Sequence, residues 1–299
     1  MSGRKRNAVV VRAGRRSTHP GWLTGGTPDF DLFIVAYELL PDATAEASSH
    51  HYLIVGTKVS GWSRFFTENA WILDAYDAIA LLDDDLACTA QDINRCFAIG
   101  REEKLSLWQP SLTADSYFSY AIFVQNKFFK LRYVNFIEMM CPFFRTSYLK
   151  LALPLFKLGF ETGIDRLWCC LSPAPRRTFA VIDAVAVAHT RSVGENSKAQ
   201  GFVGKRATYD LVLAQMEDMT KIRFSGAVAY AGLTRRGKII RKRATMAALS
   251  LLPLIGGFGS PTQKIVKRFL THFRHTLTRP INNDPIDLNA VSARLKPSA

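Results

Sequence analysis

Three consecutive carboxylates, Asp83, Asp84 and Asp85, stand directly after the apolar run 78–82 in this chain of 299 residues. The run is typical of a buried strand, and adjacent carboxylates repel one another unless a cation or strong donors offset their charge. If the strand pleat continues, Asp83 and Asp85 point to one side and could share a divalent cation that also binds phosphate oxygens. All-oxygen ligands favour Mn²⁺ or Mg²⁺. The alternative is a solvated acidic loop or a helix N-cap.

The elements before the carboxylates predict how they are positioned. Apolar runs at 31–37 and 52–55 read as strands, and apolar positions recur every three or four residues from 61 to 73, which is helical spacing. Strand, helix and strand in this order predict a parallel α/β unit. Ligands of such sheets bind at the carboxyl ends of the strands, where the three aspartates stand.

The distribution of charge predicts the domain organisation. The chain carries a formal charge of +14, yet residues 29–218 contain 18 basic and 23 acidic residues. Residues 1–28 contain six basic residues and no acid, and residues 219–283 contain thirteen and no acid. We therefore expect a basic disordered leader over 1–28, a globular α/β domain over 29–218 and a basic, partly helical C-terminal region over 219–299. A chain that wraps nucleic acid would more often carry its positive charge on the folded body.

Several motifs in a fixed order resemble a known family. The stretch 76–86 resembles the strand and Asp-x-Asp motif of type-A-fold glycosyltransferases, and more closely the domain of unknown function 707 family of glycosyltransferase-like proteins. The resemblance covers roughly 30–195, with departures at Cys141 and throughout the C-terminal third. It rests on the following segments besides 76–86: Lys58 with Trp62, Gln109 to Leu112, Val134 to Phe144, Gly163 to Trp168, and Val181 to Asp183 with His189.

The resemblance implies a fold and a reaction. The fold is a mostly parallel sheet flanked by helices, to which this chain adds a basic helical appendage. The reaction is metal-dependent transfer of a sugar from a nucleotide-diphospho-sugar to a hydroxyl group. Carried over, Asp85 is a direct ligand of Mn²⁺ or Mg²⁺, Asp83 meets the metal or the ribose, and His189 completes the metal shell. Asp84 and Lys58 are expected at the nucleotide diphosphate.

A general base must deprotonate the acceptor hydroxyl, and two carboxylates are candidates. Asp165 lies in a segment that resembles the acceptor-side acidic motif of such enzymes. Glu138 lies in an apolar run, where desolvation would raise its pKa and suit it to proton transfer. We favour Asp165 as the base and Glu138 as an acceptor-binding residue, while a salt-bridged or capping role stays open for each.

The basic C-terminal region predicts a location and leaves alternatives. Basic residues between 235 and 274 flank an apolar stretch, which is typical either of contact with an anionic membrane surface or of an ordinary solvated helical tail packed on the body. We expect a cytoplasmic protein bound peripherally at the inner membrane face, acting on a carbohydrate or lipid-linked acceptor in surface polysaccharide or glycolipid assembly. Two alternatives stay open: a nucleotidyltransferase-like enzyme on the same fold, and a non-catalytic basic interaction or nucleic-acid-binding protein.

Overall fold

A computed structural model describes residues 5–40, 49–171, 177–192, 206–281 and 286 of the chain. The strands are β1 (Asn7–Ala13), β2 (Phe30–Ala36), β3 (Ser49–Leu53), β4 (Ala78–Asp83), β5 (Leu86–Ala87), β6 (Leu107–Leu112), β7 (Phe129–Val134), β8 (Phe143–Arg145), β9 (Phe179–His189), β10 (Ala229–Thr234) and β11 (Ile239–Ile240). The α-helices are α1 (Lys58–Glu68), α2 (Ile72–Ala75), α3 (Ala90–Glu102), α4 (Thr146–Phe156), α5 (Arg206–Thr220), α6 (Arg243–Leu249), α7 (Leu252–Gly256) and α8 (Gln263–Thr278).

The strands form one mixed sheet with helices packed against it, which confirms the predicted α/β class. The order is β11-β10-β7-β9-β6-β8-β4-β1-β2-β3, and β5 pairs with the end of β9. The strands β3, β2, β1 and β4 are parallel, as are β6 and β9, whereas β8 is antiparallel to β4 and to β6. The sheet is mixed because β8 runs antiparallel to both of its neighbours and β7 runs antiparallel to β9 and β10. The single inserted strand β8 keeps β4, β6 and β9 pointing the same way, so their carboxyl ends share an edge.

The predicted disordered leader over 1–28 is wrong for the part that the structure describes. Residues Asn7–Ala13 form β1, which is buried along its whole length and pairs with β2 on one side and β4 on the other. A 3₁₀ turn over His19–Leu23 follows and buries Trp22. The basic residues around the strand obscured its run of valines, whose burial between two parallel strands outweighs the local charge.

The C-terminal region is also more integrated than an appendage. The strand β10 pairs antiparallel with β7 and so extends the sheet beyond residue 218. The helix α8 packs on α6 and buries Phe269 completely. The predicted helical content is present here, and residues 1–4, 282–285 and 287–299 of the predicted leader and tail lie outside the described residues. No helix in the described part of the chain is long and apolar enough to cross a bilayer.

Substitution of a β1 valine tests the position of this strand. Val10 is fully buried, so Val10→Ala should lower the free energy of unfolding by about 2–3 kcal/mol through lost burial and the cavity that remains. Val55→Ala is the matched control, since Val55 is 73% exposed and should cost less than about 0.5 kcal/mol. Urea unfolding measures both, and equal effects of the two variants would contradict the buried position of β1.

Candidate functional site

Asp83 ends β4 in an ion pair with Lys58, the first residue of α1. The Lys58 Nζ donates to Asp83 Oδ2 at 2.6 Å and lies 2.5 Å from Oδ1. Burial raises the pKa of Asp83 to about 6, because it outweighs the lowering by Lys58, and repulsion from Asp85 adds to the rise. Burial alone would lower the pKa of Lys58, but the ion pair with Asp83 raises it. The strand-end carboxylate therefore has its own cation.

A buried arginine fixes the turn that presents Lys58. Arg12 on β1 donates to the carbonyl of Gly56 at 2.7 Å, directly before α1. A side chain at Gly61 would come within 2.3 Å of the Arg12 Cζ, so only glycine leaves room for this guanidinium. The carboxylate of Glu161 accepts backbone N–H groups in the first turn of α1, where a negative charge is favourable. These contacts place Lys58 within reach of the β4 end.

Asp84 is 2% exposed and is held entirely by protein donors. Its Oδ2 accepts from the Gly14 N–H at 2.9 Å and from the Tyr37 hydroxyl at 3.0 Å. Its Oδ1 accepts from Arg191 at 2.7 Å. The carboxylate therefore ties the end of β4 to the loops after β1 and β2 and to the chain after β9.

Asp85 and His189 meet where β5 pairs with the end of β9. The His189 Nε2 lies 3.3 Å from Asp85 Oδ2, and Nδ1 lies 2.7 Å from the Tyr117 carbonyl. Because a carbonyl only accepts, Nδ1 carries the proton, and Nε2 faces the carboxylate either as a lone pair or as a second N–H. Asp85 Oδ1 is buried without a hydrogen-bond partner among the described residues. Burial would raise the pKa of Asp85, yet His189 and Arg191 lower it.

Glu138 and Asp165 lie close together in the same site. The Glu138 N–H donates to the Gln109 side chain at 2.9 Å, and the Met139 N–H donates to Asp165 Oδ2 at 3.4 Å. Burial raises the pKa of Glu138 to about 8, and repulsion from Asp165 contributes. Burial raises the pKa of Asp165 to about 6, against a lowering by Arg166. Glu138 therefore keeps its proton to a higher pH than Asp165.

The sequence-predicted residues come together in part. The electrostatic interactions of Glu138 reach Asp165, His189, Lys58 and Asp83, so these side chains share one site. A complete metal cluster is not assembled, since the described residues contain no group of three His, Cys, Asp or Glu side chains arranged to hold an ion. Asp85 and His189 converge, whereas Asp83 faces Lys58. The metal set of Asp83, Asp85 and His189 stays a prediction.

Two residues have roles that the motifs do not predict. Arg191 contacts both Asp84 and Asp85, at 2.7 and 3.5 Å, and lies two residues beyond His189. A single arginine after an apolar strand carries no distinguishing pattern, so nothing in the sequence marks it. Asp183, part of one matched motif, instead forms a fully buried ion pair with Arg132 at 2.7 Å. That pair links β9 to β7 inside the sheet.

Comparisons with solved structures give distant likenesses. A fragment of S. aureus TarS in complex with UDP-GlcNAc is 10% identical, with a TM-score of 0.47 over 97% of this chain and 88% of that chain. A197 from STIV is 12% identical, with a TM-score of 0.39 over 79% and 94% of the two chains. A candidate nucleotide-diphospho-sugar transferase from Desulfovibrio desulfuricans G20 is 9% identical, with a TM-score of 0.32 over 52% and 69%.

These likenesses assign neither a family nor an activity. This chain spans about half, 53%, of the longer TarS structure, and every TM-score given lies below 0.5. No family model and no curated protein matches the chain. The resemblance to the domain of unknown function 707 family therefore stays a prediction, and the chemistry has to be argued from the geometry of the site.

The raised pKa of Glu138 predicts a pH-dependent stability. Its ordinary pKa of 4.5 becomes about 8 on folding, so the folded chain keeps the Glu138 proton to a higher pH than the unfolded chain does. The contribution of the protonated Glu138 side chain to the free energy of unfolding is complete below pH 4.5 and is lost as the pH rises through 8. Glu138→Gln stays neutral and should be more stable than the parent at pH 9 by on the order of 3 kcal/mol, with a smaller difference at pH 5.

Urea unfolding at pH 5 and pH 9 measures this difference. Glu102→Gln is the control, because the Glu102 side chain is 64% exposed and lies outside the site. It should leave the pH dependence of the parent unchanged. A difference between Glu138→Gln and the parent that is the same at both pH values would contradict the assignment.

Proposed function

We propose that this chain is a metal-dependent glycosyltransferase that moves a sugar from a nucleotide-diphospho-sugar to a hydroxyl acceptor. One observation carries the proposal: a carboxylate and imidazole pair, Asp85 and His189, lies beside two carboxylates, Glu138 and Asp165, whose pKa values burial raises to different extents. All four lie at the edge where β4 and β9 end. This transfer needs a group that neutralises the leaving diphosphate and a base for the acceptor.

The donor set of Asp85 and His189 suits Mn²⁺ or Mg²⁺, Mn²⁺ the better because one ligand is an imidazole. Tyr117 fixes the His189 tautomer through a backbone carbonyl, as is usual for a metal-binding histidine. Besides the His189 Nε2, the Asp85 Oδ1 is available as a ligand atom, since it has no hydrogen-bond partner among the described residues. When bound, the ion would offset the negative charge that develops on the departing nucleoside diphosphate.

Charge balance favours an anionic donor at this site. The negative charge of Asp83 is already matched by Lys58, and that of Asp84 by Arg191. Arg166 opposes the charge of Asp165, so a cation held by Asp85 and His189 would leave local positive charge for a diphosphate. Lys58 is partly exposed, with 29% of its side chain accessible, so it can also contact the phosphate from the site. We assign donor binding to Asp83, Asp84, Asp85 and Lys58 on this basis.

The pKa values support separate roles for the two remaining carboxylates. With a pKa of about 6, Asp165 is mostly ionised at neutral pH and can accept the proton of the acceptor hydroxyl. With a pKa of about 8, Glu138 is mostly protonated and can donate a hydrogen bond to an acceptor oxygen. We therefore propose Asp165 as the base and Glu138 as the acceptor-binding residue.

The proposal also includes a family, a biological role and a location at a membrane surface. Membership in the domain of unknown function 707 family and a role in surface polysaccharide or glycolipid assembly agree with this chemistry. The exposed side of α8 carries Lys267, Leu270 and Arg274, which mix positive charge and apolar surface. Such a face suits peripheral binding at an anionic inner membrane surface. A sugar acceptor linked to a lipid would then be presented at that surface.

Asp85→Asn tests the metal site. It removes the ligand charge but keeps the size of the side chain, so Mn²⁺-dependent binding of a nucleoside diphosphate should be lost while the chain stays folded. Calorimetric titration of a nucleoside diphosphate panel, with and without Mn²⁺, measures this loss. Asp115→Asn is the control, because Asp115 is exposed and outside the site. Unchanged metal-dependent binding in Asp85→Asn would contradict the assignment.

Asp165→Asn and Glu138→Gln separate chemistry from acceptor binding. Asp165→Asn cannot accept a proton and should lower kcat by about 10²–10⁴-fold with little change in donor affinity. Glu138→Gln still donates a hydrogen bond and should change the acceptor KM more than kcat. Release of the nucleoside diphosphate measures turnover, and release of pyrophosphate instead would indicate a nucleotidyltransferase. Loss of turnover in Glu138→Gln at saturating acceptor would exchange the two roles.

A further inference from the structure

A surface cavity of about 350 Å³ lies between α8 and the segment 119–122. Basic and imidazole side chains of α8 line one side, namely Lys264, Lys267, Arg268, His272 and His275. Small and apolar side chains, among them Ala121, Ile122 and Ala227, line the other side. The cavity therefore combines a positively charged wall with an apolar wall, and none of the residues used by the proposed reaction lines it.

The positive charge of this cavity is uncompensated within the described part of the chain. No carboxylate lines the cavity, and residues 219–283 contain no acidic residue. Lys264 and Lys267 make no ion pair with any described residue. They also repel each other, because like charges three residues apart on a helix are neighbours. Arg268 is fixed in place by the carbonyl and the ring of Phe118, with its guanidinium 5.1 Å from the ring centroid. A bound anion would remove the repulsion.

A buried imidazole gives the second, independent observation. His272 is 5% exposed and lines the cavity, yet its Nε2 has no hydrogen-bond partner among the described residues. Burial, with Arg132 and His275, lowers the pKa of His272 to about 3 against a raising contact with the Ala227 backbone, so the ring is neutral at physiological pH. A buried polar atom without a partner is costly, and an oxygen of a ligand would satisfy it.

We propose that this cavity binds a phosphate-bearing amphiphile. The phosphate lies against Lys264 and Lys267 with an oxygen at the His272 Nε2, and the apolar part of the ligand lies against Ala121 and Ile122. Lysine is a point-charge donor suited to phosphate. The apolar wall would contact an apolar group attached to that phosphate, so we expect a ligand larger than free phosphate. The ligand is either a soluble phosphate ester or the headgroup of a phospholipid, because both present the same chemistry.

The cavity shares a segment with the candidate active site. Tyr117 accepts the His189 hydrogen bond through its carbonyl, Phe118 holds Arg268, and Tyr120 lines the cavity. Residues 117–122 therefore run from one site to the other. Binding in the cavity does not depend on the proposed transferase activity, so its test uses binding alone.

Calorimetric titration of the full chain with hexyl phosphate tests the cavity. The parent should bind hexyl phosphate more tightly than inorganic phosphate, since only hexyl phosphate reaches the apolar wall. Lys264→Gln/Lys267→Gln should weaken hexyl phosphate binding about tenfold or more, as two charge-assisted contacts are lost. Lys238→Gln/Lys242→Gln is the matched control, because both lysines are exposed, lie outside the cavity and carry the same charge. It should leave the affinity unchanged.

Flotation with phosphatidylcholine vesicles, with and without phosphatidic acid, distinguishes the two ligand sources. Binding to phosphatidic acid vesicles that depends on Lys264 and Lys267, but not on Lys238 and Lys242, identifies a lipid headgroup. Binding of hexyl phosphate without vesicle binding identifies a soluble ester. Failure of the parent to bind either probe would overturn the proposal. Equal losses in the two double variants would also overturn it, since they would indicate diffuse charge rather than the cavity.

His272→Phe provides a test that does not change the charge. It replaces an imidazole whose Nε2 has no hydrogen-bond partner among the described residues by an apolar ring, and it also removes the 3.5 Å contact of Nδ1 with Thr276, so the melting temperature should change little. The affinity for hexyl phosphate should fall, because the contact to Nε2 is lost. Parental affinity in a variant with an intact melting transition would contradict the placement of the phosphate at His272.

Discussion

The repulsion among Asp83, Asp84 and Asp85 is the constraint on which the rest of this site depends. Three adjacent carboxylates at the buried end of a strand are tolerated only when each receives its own partner. Lys58 at the start of α1 neutralises Asp83, and Arg191 beyond β9 binds Asp84. Asp85 shares the charge of Arg191 but keeps one oxygen without a partner among the described residues. We propose that this oxygen is the atom that would bind a metal.

The partners come from different parts of the chain, and the sheet brings them together. Arg12 on β1 orients the turn before α1, while Gly14 and Tyr37 hold Asp84 from the ends of β1 and β2. Their convergence needs β1 beside β4 and β9 pointing the same way as β4. The strand order of the mixed sheet thus brings the three aspartates into contact with their partners. The buried Arg132–Asp183 pair secures β9 from the side opposite to β6.

The local hydrophobic pattern of the sequence predicted those strands and helices that form from that pattern alone. The apolar run before Asp83 forms β4, and the helical spacing around Phe65 forms α1. The leader over 1–28 was predicted wrongly, because its basic residues outweighed the valines of β1, whose burial depends on partners far along the chain. Arg191 could not be predicted, since its role depends on where the end of β9 lies. The raised pKa of Glu138 was anticipated from its apolar neighbours.

The most direct test of the proposed function is anomalous diffraction from crystals soaked with MnCl₂ and a nucleoside diphosphate. The proposed function predicts a manganese peak between Asp85 and His189, with density for the diphosphate on the side of Lys58. Such a result would identify the ligand atoms and the donor site in one measurement. A well-diffracting crystal with bound nucleotide and no manganese at this position would contradict the account, as would manganese bound only elsewhere.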